Sequence, residues 1–234
     1  MINIWTYLSS EPLLWLTATL AAYVIATRLY ARAGESALAN PVLISVVILS
    51  LLLLITGTDY ATYFAGAQFV HFLLGPATVC LAVPLFRNMR EVRATAIPIL
   101  VALTIGSLTA ILSTYALATL LDLNDELILT VLPKSATAPV AMGIAEEIGG
   151  IPTLTAVVVI LTGITGAVLA TPLLNLLRIT DYRARGFAVG LTSHGIGTAR
   201  AFQVHPTAGA FAGIGMGLNA LATALVVPLV LALI

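Results

Sequence analysis

Two short polar segments interrupt the apolar parts of this sequence, and the first has the residue types of an anion site. It reads PKSATAP from Pro133 to Pro139 and contains the only lysine of the chain, Lys134. Lys134 offers a positive charge, and Ser135 and Thr137 add two hydroxyl donors. Both prolines break a helix, and a helix N-terminus exposed at such a break points backbone amides at an anion. The segment therefore predicts a site for a carboxylate group.

The second polar segment, 193–200, reads SHGIGTAR. Its glycines would let the backbone approach a ligand without a Cβ in the way. His194 titrates near neutrality and could pass a proton, and Arg200 has a planar fork that suits a carboxylate. Both have structural alternatives, a packing histidine and an interfacial anchor. The candidate binding residues of this segment are Ser193, His194, Gly195, Gly197, Thr198 and Arg200.

Two acidic residues, Glu146 and Glu147, follow the first segment and are candidates for binding a proton or a cation, or for pairing with Arg200. The alternative is that they lie in an outer loop. Adjacent Ser193 and His194 do not indicate a hydrolase, because the chain has no G-x-S-x-G elbow. We find no metal-ligand spacing or cofactor motif, and predict no enzyme, no cofactor and no metal.

The composition indicates the surroundings of these segments. Hydrophobic residues make up 60% of the 234 residues and charged residues only 9%, with a formal net charge of zero. Soluble domains carry about 25% charged residues. The apolar runs are long and continuous, unlike the short alternating segments of membrane β-barrels. We therefore predict an all-α polytopic protein of the cell inner (plasma) membrane, a single multi-pass domain over 1–234 that binds no nucleic acid.

About 6–8 segments are apolar enough to cross the membrane or enter it, since a bilayer core requires about 20 residues. The segment 64–86 is interrupted at Gly75-Pro76 and at Pro84, so that Pro76 joins Pro133 and Pro139 as a predicted helix break. The predicted segments are 12–30, 41–57, 64–86, 94–120, 127–148, 151–177, 186–206 and 207–233. In 186–206, four glycines argue against a continuous helix.

The positions of the arginines suggest that 127–148 is not a simple span. Basic loops prefer the cytoplasm. If 127–148 crossed once, the basic loop after 151–177 would lie outside. A re-entrant hairpin that enters and leaves on the outer side, with PKSATAP at its tip, removes the conflict. The alternative is a broken helix that crosses fully, in which case Lys134 could also be a lysine that extends its ammonium group towards the membrane surface.

An internal repeat is faintly visible at an offset of 57 residues, where Gly106 matches Gly163. With the re-entrant hairpin, 94–120 and 151–177 run in opposite directions, and inverted repeats with interrupted helices are typical of secondary transporters. The possible repeat halves are about 58–120 and 121–234. Gly209 and Gly213 have the spacing that lets membrane helices approach closely, which makes a homodimer a reasonable prediction.

Four segments resemble signature segments of the LrgB/CidB family: FLLGPATVCLAVPL (72–85), PKSATAPVAM (133–142), SHGIGTARA (193–201) and MGLNALATAL (216–225). The last contains Asn219, which the resemblance adds to the candidate binding residues. The resemblance covers about residues 10–233. The chain departs from the family after Ala201, where relatives often have an acidic, glycine-containing stretch and this chain reads FQVHPTAGAF. An ion-coupling role in that stretch is therefore doubtful here.

The resemblance implies two different functions. The family is described as holin- or antiholin-like, regulating murein hydrolase export and autolysis, with a small LrgA/CidA-type membrane partner. It is also similar to the plastid glycolate/glycerate transporter, and relatives are linked to pyruvate and similar short acids. A pore needs no lysine and histidine at two broken helices, whereas an ion- or proton-coupled carrier of monocarboxylates does. We therefore expect transport, with the holin-like function as the alternative.

Overall fold

All regular elements that the structure describes are helices. The computed structural model describes residues 11–34, 36, 39–73, 76, 86 and 89–233. Its contacts divide the chain into two compact units, Met1–Cys80 and Leu81–Ile234, which are described separately below. Four of the described helices are long and apolar enough to cross a membrane. The predicted class, an all-α polytopic membrane protein, is confirmed.

The first unit contains α1 (Pro12–Arg32), α2 (Pro41–Thr56) and α3 (Tyr60–Phe72), and α1 packs on both other helices. The start of α2 is fixed by Asn40, whose Oδ1 accepts a hydrogen bond from the backbone N–H of Val42 at 2.8 Å. Its end is fixed by Gly57, which takes a left-handed φ of 64°. Of the predicted break in 64–86, only Pro76 is described, and the rest lies outside the described residues.

The second unit is built on three long helices, α5 (Ala96–Leu120), α8 (Pro152–Leu176) and α10 (Pro206–Leu231). Helices α5 and α10 run parallel, because residues near both starts share one apolar cluster and residues near both ends share another. Helix α8 runs the opposite way, since Leu174 near its end packs with Ala208 near the start of α10. The short helix α4 (Met89–Ala94) precedes α5.

Helices α6 (Asp125–Val131) and α7 (Ala138–Ile148) form a hairpin, hairpin 1, with residues 132–137 at its tip. The backbone N–H of Ile151 donates to Thr130 Oγ1 at 2.8 Å, and Thr155 Oγ1 donates to the Thr130 carbonyl at 2.9 Å. In a straight helix the 21 residues from Thr130 to Ile151 would span about 30 Å. The segment 127–148 therefore folds back on itself, as the re-entrant interpretation predicts, and does not run on as one broken helix.

Helix α9 (Tyr182–Val204) is a second hairpin, hairpin 2, whose arms 182–193 and 195–204 meet at His194. His194 has φ 40° and ψ −133°, far from helical values. The rings of Tyr182 and His205, at the two ends, stack with centroids 4.1 Å apart. A Cβ on Gly197 would lie 2.9 Å from Val189 Cγ1, so these two residues are close in space. In a straight helix, the eight positions between them would span about 12 Å. The sequence predicts the interruption correctly but not the complete reversal.

The break in α9 is not caused by all of the glycines that predicted it. Gly186 and Gly190 lie in the regular first arm, where a Cβ on either would meet the α10 backbone, at Ala208 and Ala212. Gly186 and Gly190 are four residues apart, which is the spacing that we expected to permit close helix approach at Gly209 and Gly213. On α10, Gly209 lies against the Phe202 ring, whereas a Cβ added to Gly213 would meet no heavy atom within 4 Å. Close approach of α9 to α10 therefore occurs at Gly186 and Gly190, and also at Gly215 of α10, where a Cβ would lie 2.5 Å from the Phe187 carbonyl oxygen.

The two hairpins enter the unit from opposite ends. The base of hairpin 1 contacts the start of α8 through Thr155, whereas hairpin 2 contacts the end of α8, where Arg185 Nη1 donates to Asn175 Oδ1 at 2.8 Å. The loops that lead into them match: Asp122 and Arg178 both take left-handed φ values, 54° and 55°. Each long antiparallel helix, α5 and α8, is thus followed by a similar loop and a hairpin. These paired elements have the antiparallel arrangement expected of an inverted repeat, and the predicted halves, about 58–120 and 121–234, stay a prediction.

A hydrogen bond between the Thr130 side chain and the backbone of Ile151 closes the base of hairpin 1, and its loss is predicted to destabilise the protein. Replacing Thr130 with valine leaves the N–H of Ile151 without its acceptor, which should lower the free energy of unfolding by about 1–3 kcal/mol. Thermal unfolding in detergent measures the effect. The matched control is Thr104→Val, because the Thr104 hydroxyl is exposed and bonds only within its own helix. Equal unfolding temperatures for the two variants would contradict the prediction.

Candidate functional site

The tips of the two hairpins meet at one buried side chain in the middle of α10, Asn219. Its Nδ2 donates to the Ser135 carbonyl in hairpin 1 at 3.0 Å and to the Leu191 carbonyl in hairpin 2 at 2.9 Å. Its Oδ1 accepts from Ser107 Oγ of α5 at 2.6 Å. In a continuous helix the Leu191 carbonyl would bond to the N–H of Gly195, and the reversal at His194 removes that partner. Asn219 supplies the missing donors.

His194 at the tip of hairpin 2 is held by the protein on both sides. Its Nε2 lies 2.9 Å from the Val159 carbonyl of α8, and because a carbonyl only accepts, Nε2 carries the hydrogen. Thr198 Oγ1 donates to the His194 carbonyl at 2.7 Å. Gly163 and Gly166 of α8 make room for the tip, since a Cβ on Gly163 would lie 2.6 Å from His194 Cε1 and one on Gly166 would meet Ser193.

Beside the meeting tips lies an open cavity of about 570 Å³, which we call the tip cavity. Both tips contribute to it, and its remaining walls come from α5 and α8. Most of the lining surface is apolar, and its polar part consists of one ammonium group and several hydroxyl groups. The residues that carry them are Lys134, Ser135, Ser113, Thr162, Thr165, Thr192 and Ser193.

Among the residues that the structure describes, Lys134 is the only charged one that lines the tip cavity. Its side chain is half-buried, and among the described residues it has neither a hydrogen-bond partner nor an ionic partner. Removing an ammonium group from water without a counter-charge is costly. An anion in the cavity would offset part of that cost. The cavity therefore has the charge and the hydroxyl donors that a small carboxylate requires.

The structure brings together only some of the residues that the sequence singles out. Lys134, Ser135 and Ser193 line the tip cavity. Pro133 is fully buried at the tip of hairpin 1, Thr137 is the N-cap residue of α7, and Pro139 lies in its first turn. The remaining residues lie behind the tip of hairpin 2 or in contact with it, outside the cavity lining: His194, Gly195, Gly197, Thr198 and Asn219.

The other predicted site residues lie at the bases of the hairpins. Glu146 and Glu147 are exposed in the last turn of α7, at the base of hairpin 1 and about 15 Å along the helix from the tip. Arg200 lines a separate, smaller cavity with Arg185 at the base of hairpin 2. These bases are at opposite ends of the unit, so the suggested pairing of Arg200 with either glutamate is wrong.

The charges differ between the two ends of the unit. Hairpin 1 has acidic residues at its base, whereas Arg178 lies in the loop before hairpin 2, and Arg183 and Arg185 lie in the first turn of hairpin 2. Arg183 Nη2 lies 2.7 Å from Asp181 Oδ2, with both side chains about half exposed. The hydrogen bond from the Arg183 side chain lowers the pKa of Asp181 below its ordinary value. The basic end is the one that prefers the cytoplasm.

Four hydroxyl residues of the tip cavity were not predicted: Ser113, Thr162, Thr165 and Thr192. A signal is present for the two on α8, because Thr162 and Thr165 are three residues apart and share one face with Gly166. That face combines hydroxyl groups with a glycine that admits the tip of hairpin 2. In an apolar helix, such a face indicates contact with protein or ligand rather than with lipid.

The chain was compared with known protein families, sequences and structures. The model of the LrgB-like family matches residues 19–233. The uncharacterized protein YwbG of Bacillus subtilis is 35% identical over 213 residues, or 91% of this chain and 94% of the relative. Holin-like protein CidB of Staphylococcus aureus is 31% identical over 223 residues, or 95% of this chain and 97% of the relative. No solved structure matches.

These similarities extend over both hairpins and all three long helices of the second unit. The family model begins within α1 and ends after α10, so it includes both tips and Asn219. Relatives at 35% and 31% identity match along nearly their whole length. The chain is therefore a polytopic α-helical membrane protein that belongs to the LrgB-like family.

Proposed function

We propose that this protein carries small monocarboxylates, such as glycolate, glycerate or pyruvate, across the cell inner membrane. The observation behind the proposal is Lys134, a half-buried ammonium group in a hydroxyl-lined cavity between two opposed hairpin tips. In secondary transporters, binding sites lie where interrupted helices of inverted repeats meet near the middle of the membrane. The tips of hairpins 1 and 2 meet at the middle of α10.

In the proposed mechanism the substrate carboxylate binds to Lys134. The hydroxyl groups of Ser135 and Ser193 donate hydrogen bonds to its oxygens. The Thr192 hydroxyl donates to the Ala188 carbonyl of its own helix at 2.8 Å, so it has no hydrogen left for the substrate. Access from one side and then from the other requires one hairpin at a time to move away from the cavity. His194, in the tip that supports Ser193, is the candidate for a coupled proton.

Reconstitution into liposomes tests the proposal directly. Labelled glycolate and pyruvate should enter liposomes that contain the protein faster than empty liposomes, and the uptake should saturate and be inhibited by unlabelled substrate. Gradients of pH and of sodium, applied separately, identify the coupling ion. Uptake no greater than that of empty liposomes, for every substrate and gradient, would exclude the carrier.

A second candidate function comes from the names of relatives. Two of the compared proteins, from Staphylococcus aureus and Staphylococcus epidermidis, are called holin-like protein CidB. These names favour a holin- or antiholin-like regulator of murein hydrolase export and autolysis more directly than they favour a carrier. Such a regulator would act as an oligomer, together with a small LrgA/CidA-type membrane protein.

The two candidates differ in what crosses the membrane. A holin-like oligomer should release large dyes from liposomes, without saturation and with little dependence on Lys134. The carrier should retain the dyes while it transports short acids. Cross-linking in membranes, with and without the LrgA/CidA-type protein, measures whether the chain forms the predicted homodimer in either case.

A further inference from the structure

The amide group of Asn219 contacts both hairpins at once, and its orientation is fixed. Ser107 Oγ donates to Oδ1, and the carbonyls of Ser135 and Leu191 can only accept from Nδ2. Both amide hydrogens are therefore in use, one for each tip. With 1% of its surface exposed, Asn219 has no donor left for a substrate.

The residues next to these two carbonyls are the ones that line the tip cavity. Ser135 follows Lys134 in hairpin 1, and Leu191 precedes Thr192 in hairpin 2. The distance between the two carbonyls is set by their common donor, since each lies within 3.0 Å of Nδ2. This fixes the distance between the ammonium group on one tip and the hydroxyl groups on the other.

We infer that Asn219 is a positioning residue, which clamps the two hairpin tips together and thereby gives the tip cavity its binding shape. It was predicted from the sequence as a binding residue, but it acts through the two tips. Without it, two carbonyls that converge on one point beside α10 would be buried without a donor, and their dipoles would repel. The tips would then move apart, and the carboxylate would lose either the ammonium group or the hydroxyl groups.

The clamp can be measured without any transport, by cross-linking the two tips. In full-length protein with its single native cysteine removed (Cys80→Ser), Ser135→Cys and Thr192→Cys are joined by a short, flexible bis-methanethiosulfonate reagent, which forms a disulfide with each thiol and releases sulfinate. Adding Asn219→Leu, which preserves the volume of the side chain, should lower the yield of intramolecular cross-link severalfold. The control is Thr223→Val, a buried polar residue of the same helix without a bond to either tip. An unchanged yield in Asn219→Leu overturns the inference.

A second measurement, of substrate uptake, separates positioning from a general structural role. This test of the inference rests on the proposed transport function. Asn219→Leu should raise the KM for uptake about tenfold or more, because two hydrogen bonds that shape the cavity are lost. In Asn219→Asp a carboxylate faces two carbonyls, and protonation restores one donor. The uptake of Asn219→Asp relative to wild type should therefore rise severalfold from pH 8 to pH 5.5.

The outcomes of the two measurements can be told apart. If wild-type liposomes transport nothing, the proposed function fails, and the cross-linking result still decides the clamp. If the wild-type protein transports substrate but the uptake of Asn219→Asp relative to wild type does not change with pH, the clamp is overturned. The clamp is also overturned if the KM of Asn219→Leu equals that of Thr223→Val.

Discussion

Replacing Lys134 with methionine is expected to lower carboxylate uptake about 30-fold or more. The ammonium group is the only charge that the described part of the chain brings to the tip cavity, and removing one partner of a hydrogen-bonded charge pair costs about 2–5 kcal/mol. Methionine keeps most of the length of the side chain and removes a charge that has no ionic partner among the described residues. The unfolding temperature should therefore stay the same or rise while uptake falls, as measured in liposomes and in detergent.

Lys134→Arg is the matched variant, because it keeps the charge and changes its shape. It should keep a measurable part of the uptake, since a guanidinium also binds carboxylates but with different geometry. If Lys134→Met transports as well as wild type, Lys134 is a lysine that extends towards the membrane surface, and the cavity is not a carboxylate site.

Replacing Gly190 with alanine is expected to have the largest effect on stability. The first arm of hairpin 2 runs against α10, and a Cβ on Gly190 would meet the backbone of Ala212 at its carbonyl. Backbone cannot move aside as a flexible side chain can, so the helices would have to separate. We expect the free energy of unfolding to fall by about 3 kcal/mol, the upper part of the range for an overpacked core. Thermal unfolding in one detergent measures this loss.

The control for this substitution lies on the opposing helix. Gly213→Ala on α10 adds a methyl group with no heavy atom within 4 Å. Because alanine favours a helix more than glycine, by up to about 1 kcal/mol, this variant should be as stable as wild type or more so. A Gly190→Ala protein as stable as Gly213→Ala would mean that the two backbones are not in close contact.

The shape of hairpin 1 could be predicted from the sequence because two independent signals agree. Pro133 and Pro139 interrupt the helix, and the arginines after 151–177 require that the segment before it return to the side from which it entered. The tip also contains a charged residue, which indicates a functional position in an apolar segment. The residue types within the segment and the alternation of charged loops were sufficient to predict that the segment is a hairpin.

The shape of hairpin 2 could be predicted only in part from the sequence. The residue that reverses the chain is His194, a type with no special preference for the conformation it adopts. Its backbone is held by contacts with α8, whose Gly163 and Gly166 leave space for the tip, and by the donors of Asn219. These contacts join residues far apart in the sequence. The glycines and polar residues therefore predicted a break within 193–200, but not that it falls at His194 or that the chain turns back.

The location of Asn219 has a consequence for the biogenesis of the protein. A ribosome makes α10 after both hairpins, so during synthesis both hairpins emerge before the side chain that joins them. Until α10 inserts, the carbonyls of Ser135 and Leu191 lack their donor, and neither polar tip is stable within lipid. The contact between the two tips through Asn219 can therefore form only after α10 has been made and inserted.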